Sequence, residues 1–213
     1  MRIDVDICKQ IIKNGIRHYE TSNGKAYPSI TSILSKTKDN SGLEEWRKKM
    51  GESVAEYIMK QAKNTGTGTH EIIENYLKST EFDYSQSPLL CRAHFENLKP
   101  LLGKISNVRG LEIPLYSDNL EVAGTADCVA NYDGQLSIID FKTSRSNKQE
   151  AWIGDYFLQA TAYSVMWYER MKEHVDQIVV LISSEKTQSE AFIKKPSDYI
   201  DELTDRINQY KKL

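Results

Sequence analysis

Residues 122–143 read VAGTADCVANYDGQLSIIDFKT, and the Asp133-Gly134 step decides how the rest of the stretch is arranged. Asp-Gly between two β-prone runs signals a two-residue hairpin loop, because both loop positions then adopt positive φ. Such a loop pairs Tyr132 with Gln135, and counting outward sets Asp127 opposite Asp140. Side chains alternate along a strand, so Ile138, Asp140 and Lys142 share one face, while Thr125, Asp127 and Val129 share the corresponding face of the partner. Lys142 falls opposite Thr125. The 127/140 position is of the non-hydrogen-bonded kind, with Cα atoms about 4.5 Å apart in regular geometry. A bulge between the strands would spoil this register.

Two carboxylates placed face to face repel, so the pair must share a proton or hold a cation. Oxygen donors of this kind suit a hard divalent ion such as Mg²⁺ or Mn²⁺, which keeps part of its water shell. Lys142, two residues from Asp140, is positioned to orient a water or to neutralise charge growing on a phosphate. Cation, carboxylates and lysine are the parts that metal-assisted phosphodiester hydrolysis requires. An isolated Asp-x-Lys is often only a solvated ion pair. The apolar run at 136–139, which marks a central strand, favours a site instead.

Outward from the hairpin, residues 16–35 suggest a hairpin turning at Asn23-Gly24, followed by Tyr27-Pro28-Ser29 leading into a short helix. Leu43, Trp46, Met50, Val54 and Ile58 recur at helical spacing over 43–62, and the Gly-Thr repeat at 65–69 is expected to break that helix. His70, Ile73, Glu74 and Leu77 fall on one face of the next helix, and another spans 89–102, with Pro100 kinking or ending it. Strands are expected at 111–116, 120–132, 135–143, 178–183 and 191–194, with helices at 150–173 and 197–210. Trp152, Tyr156 and Trp167 on the long helix are assigned mainly to the core. The pattern predicts an α/β protein with a mixed central sheet flanked by helices. Residues 1–213 form one domain in this reading, of which 1–64 is an N-terminal helical, substrate-binding region.

Composition excludes several classes. With 213 residues, 28 Lys+Arg and 30 Asp+Glu, the net charge is −2, unlike proteins that coat nucleic acid nonspecifically, so a local basic groove is the remaining route to a polyanion. Cys8, Cys91 and Cys128 are too widely spaced for a zinc knuckle, iron–sulfur cluster or disulfide framework, and buried thiols are expected. No apolar run approaches the roughly 20 residues of a membrane span, and MRIDVDICKQ lacks a signal-peptide core. The expected setting is therefore intracellular, in a bacterial or host cytoplasm, with no membrane partner.

Gly124-Thr125-Ala126-Asp127, Ile139-Asp140-Phe141-Lys142-Thr143 and the Gln159-x-x-x-Tyr163 helix together resemble the PD-(D/E)XK nuclease superfamily, more narrowly its RecB-type exonuclease branch with phage members. Tyr27-Pro28-Ser29-Ile30-Thr31, Leu43-Glu44-Glu45-Trp46-Arg47 and Gly68-Thr69-His70 extend the likeness over roughly 19–167. The resemblance implies a restriction-endonuclease-like core and a divalent-metal nuclease acting on DNA, commonly single-stranded and entered from a free end. It also implies that Asp127 and Asp140 are metal ligands, Lys142 the catalytic lysine, and His70 and the Phe141 carbonyl further ligands. Gln159 and Tyr163 would organise substrate and active site. Two departures stand out: no proline precedes Asp127, and the second acid is Asp where many members carry Glu.

Further candidates are Glu74, Glu112 and Thr125 as outer partners of the metal ligands. Glu74 reads equally as an exposed helical carboxylate, and most glutamates placed like Glu112 face solvent. Arg47 and Arg145, with Lys48, Lys49 and Lys148, could track a DNA backbone, although charge runs usually only face water. Ser29 and Thr31 could bind phosphate or serve as helix caps. The expected activity is metal-dependent exonuclease cleavage of single-stranded DNA, in end processing, replication, recombination or degradation. The alternatives are an endonuclease of the same fold, a non-catalytic nucleic-acid-binding module and a small-molecule phosphohydrolase.

Overall fold

A computed structural model describes residues 8–213; the 1–7 part of the stretch examined for a signal peptide lies outside the described residues. Three short strands, β1 (Lys9–Lys13), β2 (Ile16–Glu20) and β3 (Ala26–Pro28), form a small antiparallel sheet. Helices α1 (Ile30–Thr37), α2 (Ser41–Met50), α3 (Glu52–Leu77) and α4 (Leu89–Leu102) follow. Strands β4 (Ile105–Ser117), β5 (Val122–Tyr132) and β6 (Gln135–Ser144) then make an antiparallel meander. Helix α5 (Gly154–Met171) crosses to β7 (Gln177–Ser184), which pairs parallel with β6, and β8 (Glu190–Lys194) and α6 (Ile200–Tyr210) complete the chain. The five-stranded sheet is mixed, in the order β4-β5-β6-β7-β8.

Period-two alternation sorts the sheet's side chains into two cores. Val129, Ile138, Ile178 and Val180 pack with Phe157, Leu158, Met166 and Trp167 of α5 and with α1 and α6. Cys128, Ala130, Ile139, Phe141, Val179 and Leu181 pack on the other face against Ile72 and Ile73 of α3 and Phe95 and Leu98 of α4. Burying each large apolar side chain of this kind contributes about 1.5–3 kcal/mol. Because both faces are covered, every residue of β7 is buried, which accounts for its unbroken QIVVLISS run. Among the described residues, no helix is long and apolar enough to cross a membrane.

The Asp133-Gly134 turn forms as its sequence demands, with φ of 47° and 87° at the two positions. Register runs from Tyr132↔Gln135 to Cys128↔Ile139. There it stops, one pair short of 127/140, so the expected direct facing of Asp127 and Asp140 is not a ladder pair. The β4–β5 ladder likewise steps from Leu111↔Cys128 to Ile113↔Ala126, leaving Glu112 and Asp127 out. Glu112 sits at φ 47°, and Ala126 packs in the same core as Val129, so β5 changes phase around Asp127. A strand irregularity of this type re-aims side chains.

Three further expectations are corrected. The Gly-Thr repeat does not break a helix: α3 runs uninterrupted through it, and the break lies at Gly51, with φ 82°. Residues 9–28 hold three strands joined by turns, so the N-terminal region is not helical throughout. Trp152 belongs to a single 3-10 turn ahead of α5 and is 61% exposed, not core.

Glycine inside α3 has a packing reason. A Cβ on Gly68 would lie 2.8 Å from Cys91 Sγ, whereas one on Gly66 would meet only Thr143 Oγ1 at 3.7 Å. Gly68→Ala is therefore expected to destabilise the protein by about 1–3 kcal/mol through overpacking. Gly66→Ala should be neutral or stabilising by up to about 1 kcal/mol. Urea unfolding of both variants checks the contrast.

Candidate active site

The C-terminal half of β6 carries Asp140 and Lys142 toward α5 and Phe141 toward α3, as alternation requires. The Phe141 peptide unit is held on both sides. Its N–H donates to Asp127 Oδ2 at 2.9 Å, and its carbonyl accepts from His70 Nε2 at 2.8 Å. Since Nε2–H is committed to that carbonyl, Nδ1 of His70 faces Glu112 Oε1 at 3.6 Å and Asp127 Oδ2 at 3.7 Å. One donor atom from each of His70, Glu112 and Asp127 lies within 4.8 Å of the others. An imidazole and two carboxylates converging at this spacing fit a divalent cation that accepts nitrogen and oxygen donors, Mn²⁺ more readily than Mg²⁺.

Asp140 stands beside this trio with different partners. Lys142 Nζ lies 2.6 Å from Oδ1 and 2.5 Å from Oδ2, and Gln159 Nε2 donates to Oδ1 at 3.1 Å. Gln159 also donates to Tyr163 at 3.3 Å. The two residues are one helical turn apart and project into the same site. Tyr163 packs so closely on β5 that a Cβ on Gly124 would sit 2.7 Å from its ring, which explains the glycine there. Lys142 also lies 5.0 Å from the centroid of the Tyr156 ring.

Burial and neighbouring charge set the protonation states. Burial raises the Asp140 carboxyl, an effect that Lys142 opposes and Asp127 reinforces. For Lys142, burial disfavours the ammonium, but the Asp140 and Asp127 carboxylates outweigh it and hold the group charged. Burial likewise disfavours a charged His70, yet Asp127 and the Glu112 hydrogen bond push its pKa up to about 9. Tyr163 is held protonated, chiefly by burial.

The remaining candidates are dispersed. Thr125 Oγ1 bonds the Tyr19 hydroxyl at 3.0 Å. Ser29 is buried and its hydroxyl meets Thr31 Oγ1 at 2.9 Å, while Arg17 also donates to Thr31, so both hydroxyls have internal partners. Arg47 is paired with Glu52 on the α2–α3 corner. Glu74 lines the opening beside His70 but is bound to Lys78 at 2.5 Å rather than to the imidazole. Arg145 is exposed and has no ion pair among the described residues. Sequence reasoning placed Glu112 only at the margin and assigned Tyr156 mainly to the core, against which it does pack while its ring also lies under Lys142. Helical spacing to Gln159 and Tyr163 was the available signal for Tyr156, whereas Glu112 depends on a strand irregularity that spacing does not reveal.

A mixed sheet with helices on both faces, carrying Asp-x-Lys on a central strand beside a histidine and two further carboxylates, defines a class of nuclease. The chain matches the family model of the PD-(D/E)XK nuclease superfamily over residues 31–212 and belongs to that superfamily. Among individual relatives, it is 32% identical over 129 residues to mitochondrial genome maintenance exonuclease 1 of Homo sapiens, covering 57% of this chain and 38% of that protein. The Xenopus tropicalis protein of the same name is 31% identical over 147 residues, 64% of this chain and 42% of the relative. The matched stretch thus spans less than half the length of these relatives. A crystal structure from Eubacterium rectale superposes with a TM-score of 0.42 at 13% identity, covering 70% of this chain and 68% of that one.

A raised His70 pKa means that the imidazolium stabilises the metal-free fold fully below its ordinary value of 6.5, and that this contribution is lost as pH rises through about 9. His70→Asn should remove that part of the stability slope. Because a cation must displace the proton, Mn²⁺ affinity is expected to rise by up to about tenfold per pH unit over the same window. Calorimetric titration of wild type and His70→Asn at several pH values measures both effects.

Proposed function

We propose that this chain is a divalent-metal-dependent DNA exonuclease that hydrolyses phosphodiester bonds of single-stranded DNA from a free end. The observation that carries the proposal is the charged Lys142, held by Asp140 beside the convergent His70, Glu112 and Asp127. His70, Glu112 and Asp127 would hold Mg²⁺ or Mn²⁺, with Asp140 and the Phe141 carbonyl adjacent. When bound, the cation supplies Lewis acidity toward the phosphate and an activated water. Lys142 presents positive charge where the phosphate accumulates negative charge. Gln159 orients Asp140 through its amide, and the protonated Tyr163 hydroxyl steadies Gln159 in turn.

The names of the relatives support exonuclease action, and a shared domain of the matched length supports the same chemistry here. Residues 1–64 are assigned to substrate contact and 1–213 to one catalytic unit. DNA as substrate, preference for single strands and a role in processing or degrading DNA ends belong to the same reading.

With Mn²⁺, labelled linear single strands should be shortened by wild type, while Asp140→Asn and Lys142→Ala lower the rate by about 100-fold or more. Equal cleavage by all three proteins would remove the assigned site. Cutting of circular single strands would assign an endonuclease, and Mn²⁺-independent binding without cleavage a non-catalytic module.

A further inference from the structure

A second cavity of about 330 Å³ lies between α3 and the C-terminal end of β6, lined by Tyr57, Gln61, Thr65, Thr143, Arg145 and Glu185 among others. It adjoins the active site along both elements. Thr143 follows Lys142 on β6, and Thr65 precedes Gly66, which with His70 and Glu112 lines the opening beside the convergent donors. Tyr57 is 64% exposed and has neither a hydrogen bond nor a ring contact among the described residues. Arg145 on the opposite wall has no carboxylate partner among the described residues, whereas Arg47, Arg109, Arg170 and Arg206 each have one. An unpartnered aromatic ring and an unpaired guanidinium thus face one cleft that begins at Thr143, the residue after the assigned lysine.

We infer that this cavity is a nucleobase subsite: an unpaired base of the substrate strand stacks on Tyr57, and Arg145 holds an adjoining phosphate. The inference rests on the nuclease reading above and adds a physical origin for single-strand preference. A base inside a duplex has both faces covered by its neighbours, so only an unstacked base can present a face to Tyr57. Gln61 and Glu185 offer acceptors for exocyclic amino groups. The Glu185 carboxylate repels phosphate from the cavity's interior and leaves it to the Arg145 side. Stacking of this kind tolerates any base, so the subsite imposes no sequence requirement.

Binding of fluorescein-labelled single-stranded oligonucleotide in Mn²⁺, read by anisotropy in an Asp140→Asn background, tests the subsite. Cleavage of the same oligonucleotide by otherwise wild-type protein runs beside it. Tyr57→Ala is expected to weaken binding by about 5- to 100-fold, and Tyr57→Phe to restore it, since the ring and not the hydroxyl does the stacking. Arg145→Ala should lower the salt dependence by about one counterion. If Tyr57→Ala binds as the parent does while wild type still cleaves, the subsite is overturned and the nuclease reading stands. If the Asp140→Asn parent does not bind and wild type does not cleave, both fall.

Discussion

The arrangement of the site depends on the Phe141 peptide unit. Its N–H serves the Asp127 carboxylate and its carbonyl serves the His70 ring, so one backbone segment fixes two side chains from two other elements. Strand β6 can give up regular pairing with β5 here because its other edge remains bound to β7 through Phe141↔Leu181 and beyond. A central strand held on one side is free to present its backbone to side chains on the other. The same local opening lets Glu112 turn inward from β4 at positive φ, a conformation that is costly for a non-glycine residue and is concentrated at functional positions.

Charge balance follows from this geometry. Three carboxylates, Glu112, Asp127 and Asp140, converge on one ammonium and one imidazole. Removing a carboxylate such as the buried Asp140 from water costs several kcal/mol unless partners compensate, whereas Glu112 keeps an exposed face. The structure compensates Asp140 with Lys142 and Gln159, and Asp127 with a backbone N–H, while proton uptake by His70 supplies the remaining positive charge. A divalent ion held as proposed would take that proton's place among His70, Glu112 and Asp127. The site's readiness for a cation and the high pKa of His70 are thus two expressions of one surplus of negative charge.

Much of the fold was legible because its signals are local. Asp133-Gly134 carries the chemistry of a tight turn, the VAGTADCVANY and QLSIIDFKT runs carry strand periodicity, and Gln159 with Tyr163 carries helical spacing. Where reading failed, a distant contact had overridden a local preference. The glycines at 66 and 68 look like breakers, yet α3 continues through both, and Gly68 lets it approach Cys91 of α4. Trp152 looks like core yet lies on a turn outside the helix whose stripe it was counted in.

By itself the sequence determined the turn, the faces of the strands and the residue types able to hold a cation beside a lysine, because each is set by neighbours a few positions away. Only the tertiary structure decided which carboxylates converge. The change of phase at Asp127 and the positive φ of Glu112 occur where β4 and α3 pack onto the hairpin, and Asp140 pairs with Lys142 while forming no ladder pair with Asp127. Alternation along a strand is a property of the chain, whereas a break in it is settled by what the strand must accommodate on either side.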